Sequence, residues 1–288
     1  MKKYLALILS LAMVMCLFAA CGNEPATPAT TASPETTANA AEPTDGETEA
    51  PETTEAATLT TIEEGKLIMS TNAAFPPYEM TTDDGGFQGI DVEIATAIAE
   101  KLGLELVILD MDFDAALLAV NEGKSDIVMA GVTVNEDRKM VMEFTDSYAT
   151  GVQVVIVKEG SDVTMDNLGE KMIGAQRGTT GYIYASDTPE NGGYGEDHVN
   201  AYDNGATAVQ ALINGQVDCV IIDSAPAEEF VKMNSGLTIL EGEWVTENYA
   251  IGCDKGNTAL VDAINEALAA LIQDGTVQSI VDKYITAE

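Results

Sequence analysis

In the stretch "VMAGVTVNEDRK", Val128 to Lys139, an apolar strand-like run passes through Gly131 and Thr133 into a helix start. Arg138 stands one turn into that helix, with Asn135 suited to the N-cap and Glu136 and Asp137 to the first turn. A guanidinium there offers a fixed fork of donors that matches a carboxylate in two parallel hydrogen bonds, which a lysine ammonium cannot do. Gly131 lets backbone approach whatever is gripped. The bland alternative is a solvated helix charge. Asp223, ending the apolar run "DCVIID", poses the same choice: an anion for an ammonium group, or a cap for the helix beginning at "SAPAEEF". "RGTTG", Arg177 to Gly181, reads as a loop opening a helix, whose N–H groups suit an anion. The lysine of a phosphate loop is missing from it.

The elements that must position these residues alternate. "KLIMST" and "ELVILDM" read as strands, and "DVEIATAIAEKLGL" has helical spacing at Val92, Ile94, Ala95, Ile98, Ala99 and Leu102, stopped by Gly103. "DAALLAVNEG" reads as a helix and "SDIVMAG" as a strand; "GVQVVIVK", "KMIGAQ", "TAVQALINGQ" and "DCVIID" continue the series. Such alternation implies α/β architecture with mostly parallel sheets flanked by helices. "ALLAVNEGKSDIVMAG" (Ala116 to Gly131) aligns without gaps on "AVQALINGQVDCVIID" (Ala208 to Asp223), matching Gly123 to Gly215 and Asp126 to Asp218. Two similar lobes follow from this. Gly131 and Asp223 then occupy comparable strand ends, where ligands of open α/β sheets bind.

The chain has 288 residues and a formal net charge of -35, which argues against nucleic acid as a partner. "MKKYLALILSLAMVMCLFAACGN" has a two-lysine start and an apolar run too short to span a membrane, the layout of a secretory signal over residues 1–21. "LFAAC" resembles the lipobox of bacterial lipoproteins, which makes Cys21 the expected lipidation site, although Phe18 departs from the usual aliphatic residue. Residues 22–58 are almost only Thr, Ala, Pro and Glu, and read as a disordered tether. Cys219 and Cys253 sit in apolar runs at no metal-site spacing, so no metal is expected; buried free thiols are the expectation, with a disulfide between the two as the alternative.

In this order, "STNAAFPPYEM", "GGFQGIDVEIATAIAEKLGLEL", "MDFDAALLAVNEGKSDIVMAGVTVNEDRK", "VMEFTDSYATG", "GAQRGTTG" and "GQVDCVIIDSAPA" resemble the bacterial extracellular solute-binding proteins of family 3, from about Leu59 to Ile285. The resemblance implies a two-lobed periplasmic-binding-protein-like fold of type II. Lobe 1 would comprise residues 59–149 and 249–288 and lobe 2 residues 150–248, joined by two crossover hinge strands near Tyr148 to Gly151 and Thr246 to Tyr249. It implies an amino-acid receptor of an ABC importer, monomeric and without cofactor, held by lipid on the outer face of a single-membrane bacterial cell and serving a membrane permease. Residue by residue, it implies that Gly131, Thr133 and Arg138 take the ligand carboxylate and that Asp223 takes the ammonium. Thr179 and Thr180 would offer N–H and hydroxyl groups to the carboxylate. Phe75 and Phe113 would sandwich the side chain, with Asn72, Met129, Ala130 and Gln176 reading its tip and Tyr78, Glu79 and Arg177 near the mouth. Relatives that bind basic amino acids often carry Asp where this chain has Asn72, which weighs against lysine or arginine. Two other functions remain open at this level. One is a dehydratase of cyclic acids on the same fold, for which His198 lies in the uninformative "GEDHVN". The other is a sensor subunit presenting ligand to a membrane receptor.

Overall fold

A computed structural model describes residues 59–242 and 244–285. The signal, Cys21 and the tether lie outside the described residues.

The first half builds β1 (Lys66–Thr71), β2 (Ala74–Phe75), β3 (Glu79–Thr81), β4 (Phe87–Gln88), α1 (Ile90–Leu102), β5 (Glu105–Asp110), α2 (Phe113–Asn121), β6 (Ile127–Val128) and α3 (Glu136–Val141). β1 runs parallel to both β5 and β6. A long strand follows, β7 (Met142–Lys158), and then β8 (Ile173–Gln176), α4 (Thr180–Ser186), β9 (Val199–Tyr202), α5 (Gly205–Ile213), β10 (Cys219–Asp223), α6 (Ser224–Met233) and β11 (Leu237–Ile239). Here β8 lies between β9 and β10, parallel to each. The chain returns through β12 (Val245–Asp254) and closes with α7 (Thr258–Gln273) and α8 (Thr276–Tyr284), which pack on α1.

The fold is two-lobed. Its strand order β5-β1-β6-β12-β7-β10-β8-β9 is parallel within each half and antiparallel where the halves join. β7 and β12 are the join: they pair Tyr249 with Ala149, Asn248 with Thr150, Glu247 with Gly151 and Thr246 with Val152. The buried face of α1 carries Val92, Ile94, Ala95, Ile98 and Ala99, as its helical spacing predicts, and Gly103 ends it in the left-handed conformation at φ 70°. Val155, Leu168, Ile173, Val199 and Ile221 form a separate core in the second half.

The internal repeat is conserved in three dimensions. Gly123 and Gly215 both have positive φ, 66° and 73°, so each must turn the chain where a Cβ is costly. Asp126 then accepts a hydrogen bond from Ile68 N at 2.8 Å, and Asp218 one from Met172 N at 2.8 Å. Each aspartate thus ties its own αβ unit to the neighbouring parallel strand. Cys219 and Cys253 are buried free thiols, each pushed up to about 12 by burial.

At the crossover the ring of Tyr249, fully buried, lies directly over Gly151, where a Cβ would overlap the phenol. Gly151→Ala is therefore expected to lower stability by about 1–3 kcal/mol, the usual cost of overpacking. Urea unfolding of the variant beside wild type measures it; an unchanged midpoint means that the ring moves aside freely.

Candidate functional site

One enclosed cavity lies between the halves. From the first half it is lined by Asn72, Phe75, Glu79, Phe113, Ala130, Gly131, Thr133 and Arg138. From the second come Gln176, Thr179, Thr180 and Asp223. Twelve of the fifteen residues singled out from the sequence line it, Glu79 among them. The free space is about 10 Å³, room for about one water, because side chains from the two halves touch across it.

Local structure explains each placement. Gly131 adopts φ 55°, and a Cβ on it would stand 2.9 Å from Phe75 Cε1, so glycine permits both the turn and the close aromatic wall. Asn135 caps α3 by accepting from Arg138 N at 2.8 Å, which fixes where the arginine side chain begins. That side chain is buried rather than solvated, 7% exposed. Its Nη1 donates to Thr133 O at 2.8 Å, its Nη2 donates across the cleft to Gly178 O at 3.1 Å, and its guanidinium lies 5.4 Å from the centroid of the Phe113 ring. Burial pulls its pKa down, while the nearby Glu247 carboxylate opposes that shift.

Asp223 occupies the N-cap position of α6 yet makes no side-chain cap bond. Its carboxylate accepts instead from the Tyr249 hydroxyl, and burial raises its pKa from 3.8 to about 7. Thr179 does cap its helix: its hydroxyl accepts from Tyr182 N and donates to Gln176 O. Gln176 Nε2 donates across the cleft to Asn72 Oδ1 at 2.9 Å, and Asn72 Nδ2 donates to Met111 O at 2.8 Å.

The sequence reading missed Glu247. It is 4% exposed, in β12 at the crossover. Its Oε2 accepts from Thr133 Oγ1 at 2.9 Å, Thr180 Oγ1 at 2.8 Å and Gln153 Nε2 at 3.1 Å. One carboxylate oxygen on the joining strand thus gathers a hydroxyl from each half. Asp91 was also missed; it is fully buried and accepts from Gly131 N at 3.0 Å. Its signal was in the sequence, since Asp91 stands on the apolar stripe of α1 one turn before Ile94 and Ala95. Three candidates lie elsewhere. Met129 is fully buried in the core, because the strand alternates and only Ala130 faces the cavity. Arg177 is exposed, and Tyr78 stands behind Phe75 with ring centroids 5.8 Å apart. Among the described residues, Arg138 is the one buried cation, against the buried carboxylates Glu79, Asp91, Asp126, Asp223 and Glu247. No group of three or more potential ligands for a metal occurs among the described residues.

A sequence profile for "Bacterial extracellular solute-binding proteins, family 3" matches residues 67–287. The "Probable histidine-binding protein" of Neisseria gonorrhoeae is 32% identical over 230 residues, covering 78% of this chain and 85% of the relative. The "L-cystine-binding protein TcyJ" of Escherichia coli K12 is 30% identical over 230 residues, with the same two coverages, 78% and 85%. Among solved structures, the "arginine-, lysine-, histidine-binding protein ArtJ" of Geobacillus stearothermophilus aligns with a TM-score of 0.72 and 31% identity, covering 77% of this chain and 96% of that one. By profile, by sequence and by fold, the chain belongs to the bacterial extracellular solute-binding proteins of family 3.

Proposed function

We propose that this protein binds a free polar α-amino acid between its lobes and delivers it to an ABC importer, without transforming it. Arg138 holds the carboxylate and Asp223 the ammonium. The observation that carries the reading is that an arginine and an aspartate from opposite halves, both buried, line one cavity, and that the aspartate leaves its helix cap unmade. A zwitterion supplies the counter-charge each needs, since a buried charge without a partner is costly.

The lobes are residues 59–149 with 249–288, and 150–248, turning on β7 and β12. An amino acid enters only when the contacts across the cleft part, namely Asn72 with Gln176, Arg138 with Gly178, and Thr133 with Thr180 through Glu247. Remaking them around the ligand is what makes the closed form bind it better than the open one. Thr133 and Thr180 donate their hydroxyl protons to Glu247, so each turns lone pairs toward the cavity. There they suit the ammonium, while their backbone N–H groups suit the carboxylate. Phe75 and Phe113 flank the side chain, and Asn72, Ala130 and Gln176 surround its tip. A thermal-shift screen of the twenty amino acids with cystine and ornithine tests this. A ligand at 100 times its dissociation constant should stabilise the protein by roughly 2.7 kcal/mol. No shift with any of them would sink the reading.

Delivery takes place at the outer face of the cell membrane, where Cys21 is lipidated and residues 22–58 form the tether. The protein acts as a monomer. Cys21→Ser should release it into the medium, as a blot of cells against culture supernatant would show; wild type found wholly in the medium and unlipidated by mass spectrometry would refute the anchor.

A further inference from the structure

Glu79 is fully buried in β3, and α1 begins against it: Ile90 N donates to Pro77 O at 3.1 Å and Asp91 N to Tyr78 O at 2.9 Å. That start brings the Asp91 carboxyl, also fully buried, beside the Glu79 carboxyl. Tyr148, on β7 where the crossover begins, faces both. Glu79 Oε1 and Oε2, Asp91 Oδ1 and the Tyr148 hydroxyl are all buried without a hydrogen-bond partner, while Asp91 Oδ2 accepts from Gly131 N at 3.0 Å. A buried polar group left unpaired is costly, and two adjacent buried carboxyls cannot both ionise cheaply. Arg138, the buried cation among the described residues, does not relieve them, because it is committed to Thr133, Gly178 and the Phe113 face.

We propose that Glu79 holds one proton and donates it to Asp91, and that this pair, with the Tyr148 hydroxyl, positions the Gly131 turn against the crossover strand. One proton on two carboxyls leaves one negative charge, carried by Asp91. That carboxylate then takes three donors: the Glu79 hydroxyl, the Tyr148 hydroxyl and Gly131 N. They come from three places in the fold, β3, β7 and the turn after β6. The turn leads into Thr133 and Arg138, so its placement sets where the carboxylate clamp begins. That consequence for binding rests on the reading of the cavity as an amino-acid site; the proton does not.

The surroundings support this. Facing Glu79 are Asp91 from α1, Asp110 from the end of β5 and Asp223 from the end of β10, all acidic; Tyr78 and Tyr148 face the pair of carboxyls. Burial, then Asp91, push the Glu79 pKa well above its ordinary 4.5, and burial lifts Asp91 to about 6. The bond between the two raises Glu79 and lowers Asp91, which puts the proton on Glu79. Burial also holds Tyr148 well above its ordinary 10.0, so it remains a donor.

The test is infrared spectroscopy of the purified full chain without ligand at about pH 8, where Asp223, with its pKa of about 7, is mostly ionised. Wild type should show the band of a protonated carboxyl, and Glu79→Gln should lose about one carboxyl of it. A wild-type spectrum without that band, or a band that Glu79→Gln leaves unchanged, would overturn the proton. The wild-type spectrum decides even if the variant fails to fold. The positioning role is read by calorimetric titration of Asp91→Asn and Asp91→Ala with L-glutamine, L-histidine and L-arginine. Asparagine keeps an acceptor for Gly131 N and alanine strands it, so Asp91→Asn should bind roughly tenfold more tightly than Asp91→Ala. Equal affinities would overturn the positioning role. Absence of binding by wild type would overturn the amino-acid reading and this role with it, while the proton stands or falls on the spectrum.

Discussion

Arg138→Ala should lower affinity for the amino acid by roughly 30-fold to several-thousand-fold. Truncating one partner of a buried, hydrogen-bonded charge pair costs about 2–5 kcal/mol, and each 1.4 kcal/mol is about tenfold. The structure gives reasons to expect the upper part of that range. The guanidinium is buried, so no water replaces it beside the stranded carboxylate. It also donates across the cleft to Gly178 O, so its loss weakens closure as well as contact. Arg138→Lys should remain poor, since an ammonium cannot make two parallel bonds to a carboxylate while also reaching Gly178 and lying on Phe113. Calorimetric titration of both variants with the ligand found by screening measures the loss. Near-normal affinity for Arg138→Ala in a folded protein would remove the carboxylate clamp.

Asp223→Asn should cost a comparable amount and, in addition, remove a pH dependence. Burial raises the Asp223 pKa from 3.8 to about 7. A carboxyl whose folded pKa is raised binds its proton more tightly folded than unfolded, so it contributes stability that falls as pH rises from about 4 to about 7. Asp91, lifted to about 6, adds to the same slope over the lower part of that window. The ligand ammonium favours the ionised Asp223, so affinity should climb with pH and level off above about 7. Asparagine at 223 removes the titrating group. The variant should bind weakly at every pH, and its stability should fall less between pH 4 and 7 than that of wild type. Melting temperatures and titrations across pH 5 to 8 read both effects. A wild-type affinity that falls over that span would contradict the assignment of the ammonium to Asp223.

What the sequence made legible is what repeats or punctuates. The apolar spacing of α1 and its Gly103 stop, the paired glycines at 123 and 215 and the aspartates at 126 and 218 each dictate a local geometry, and each has it. Gly131, Arg138 and Asp223 were legible because they sit at strand ends and a helix start, where an α/β fold presents side chains to a cleft, whereas Asn72, Phe75, Phe113, Ala130 and Gln176 were legible only through the family resemblance. Glu247 was not, because its role depends on register. It lies opposite Gly151 on a neighbour about a hundred residues away, and only that pairing brings it to hydroxyls from both halves. Met129 shows the converse error, since strand alternation assigns a face only once the partner strands are known.

The central claim is that the cavity holds both ends of a zwitterion. The most direct measurement is to titrate wild type with the amino acid found by screening, with the corresponding amine lacking its α-carboxylate, and with the corresponding acid lacking its α-amino group. Each analogue leaves one buried charge unpaired, Arg138 in the first case and Asp223 in the second. Each should therefore bind at least roughly 30-fold more weakly than the parent. An analogue lacking either group that binds as tightly as the amino acid would show that Arg138 and Asp223 do not hold the two ends.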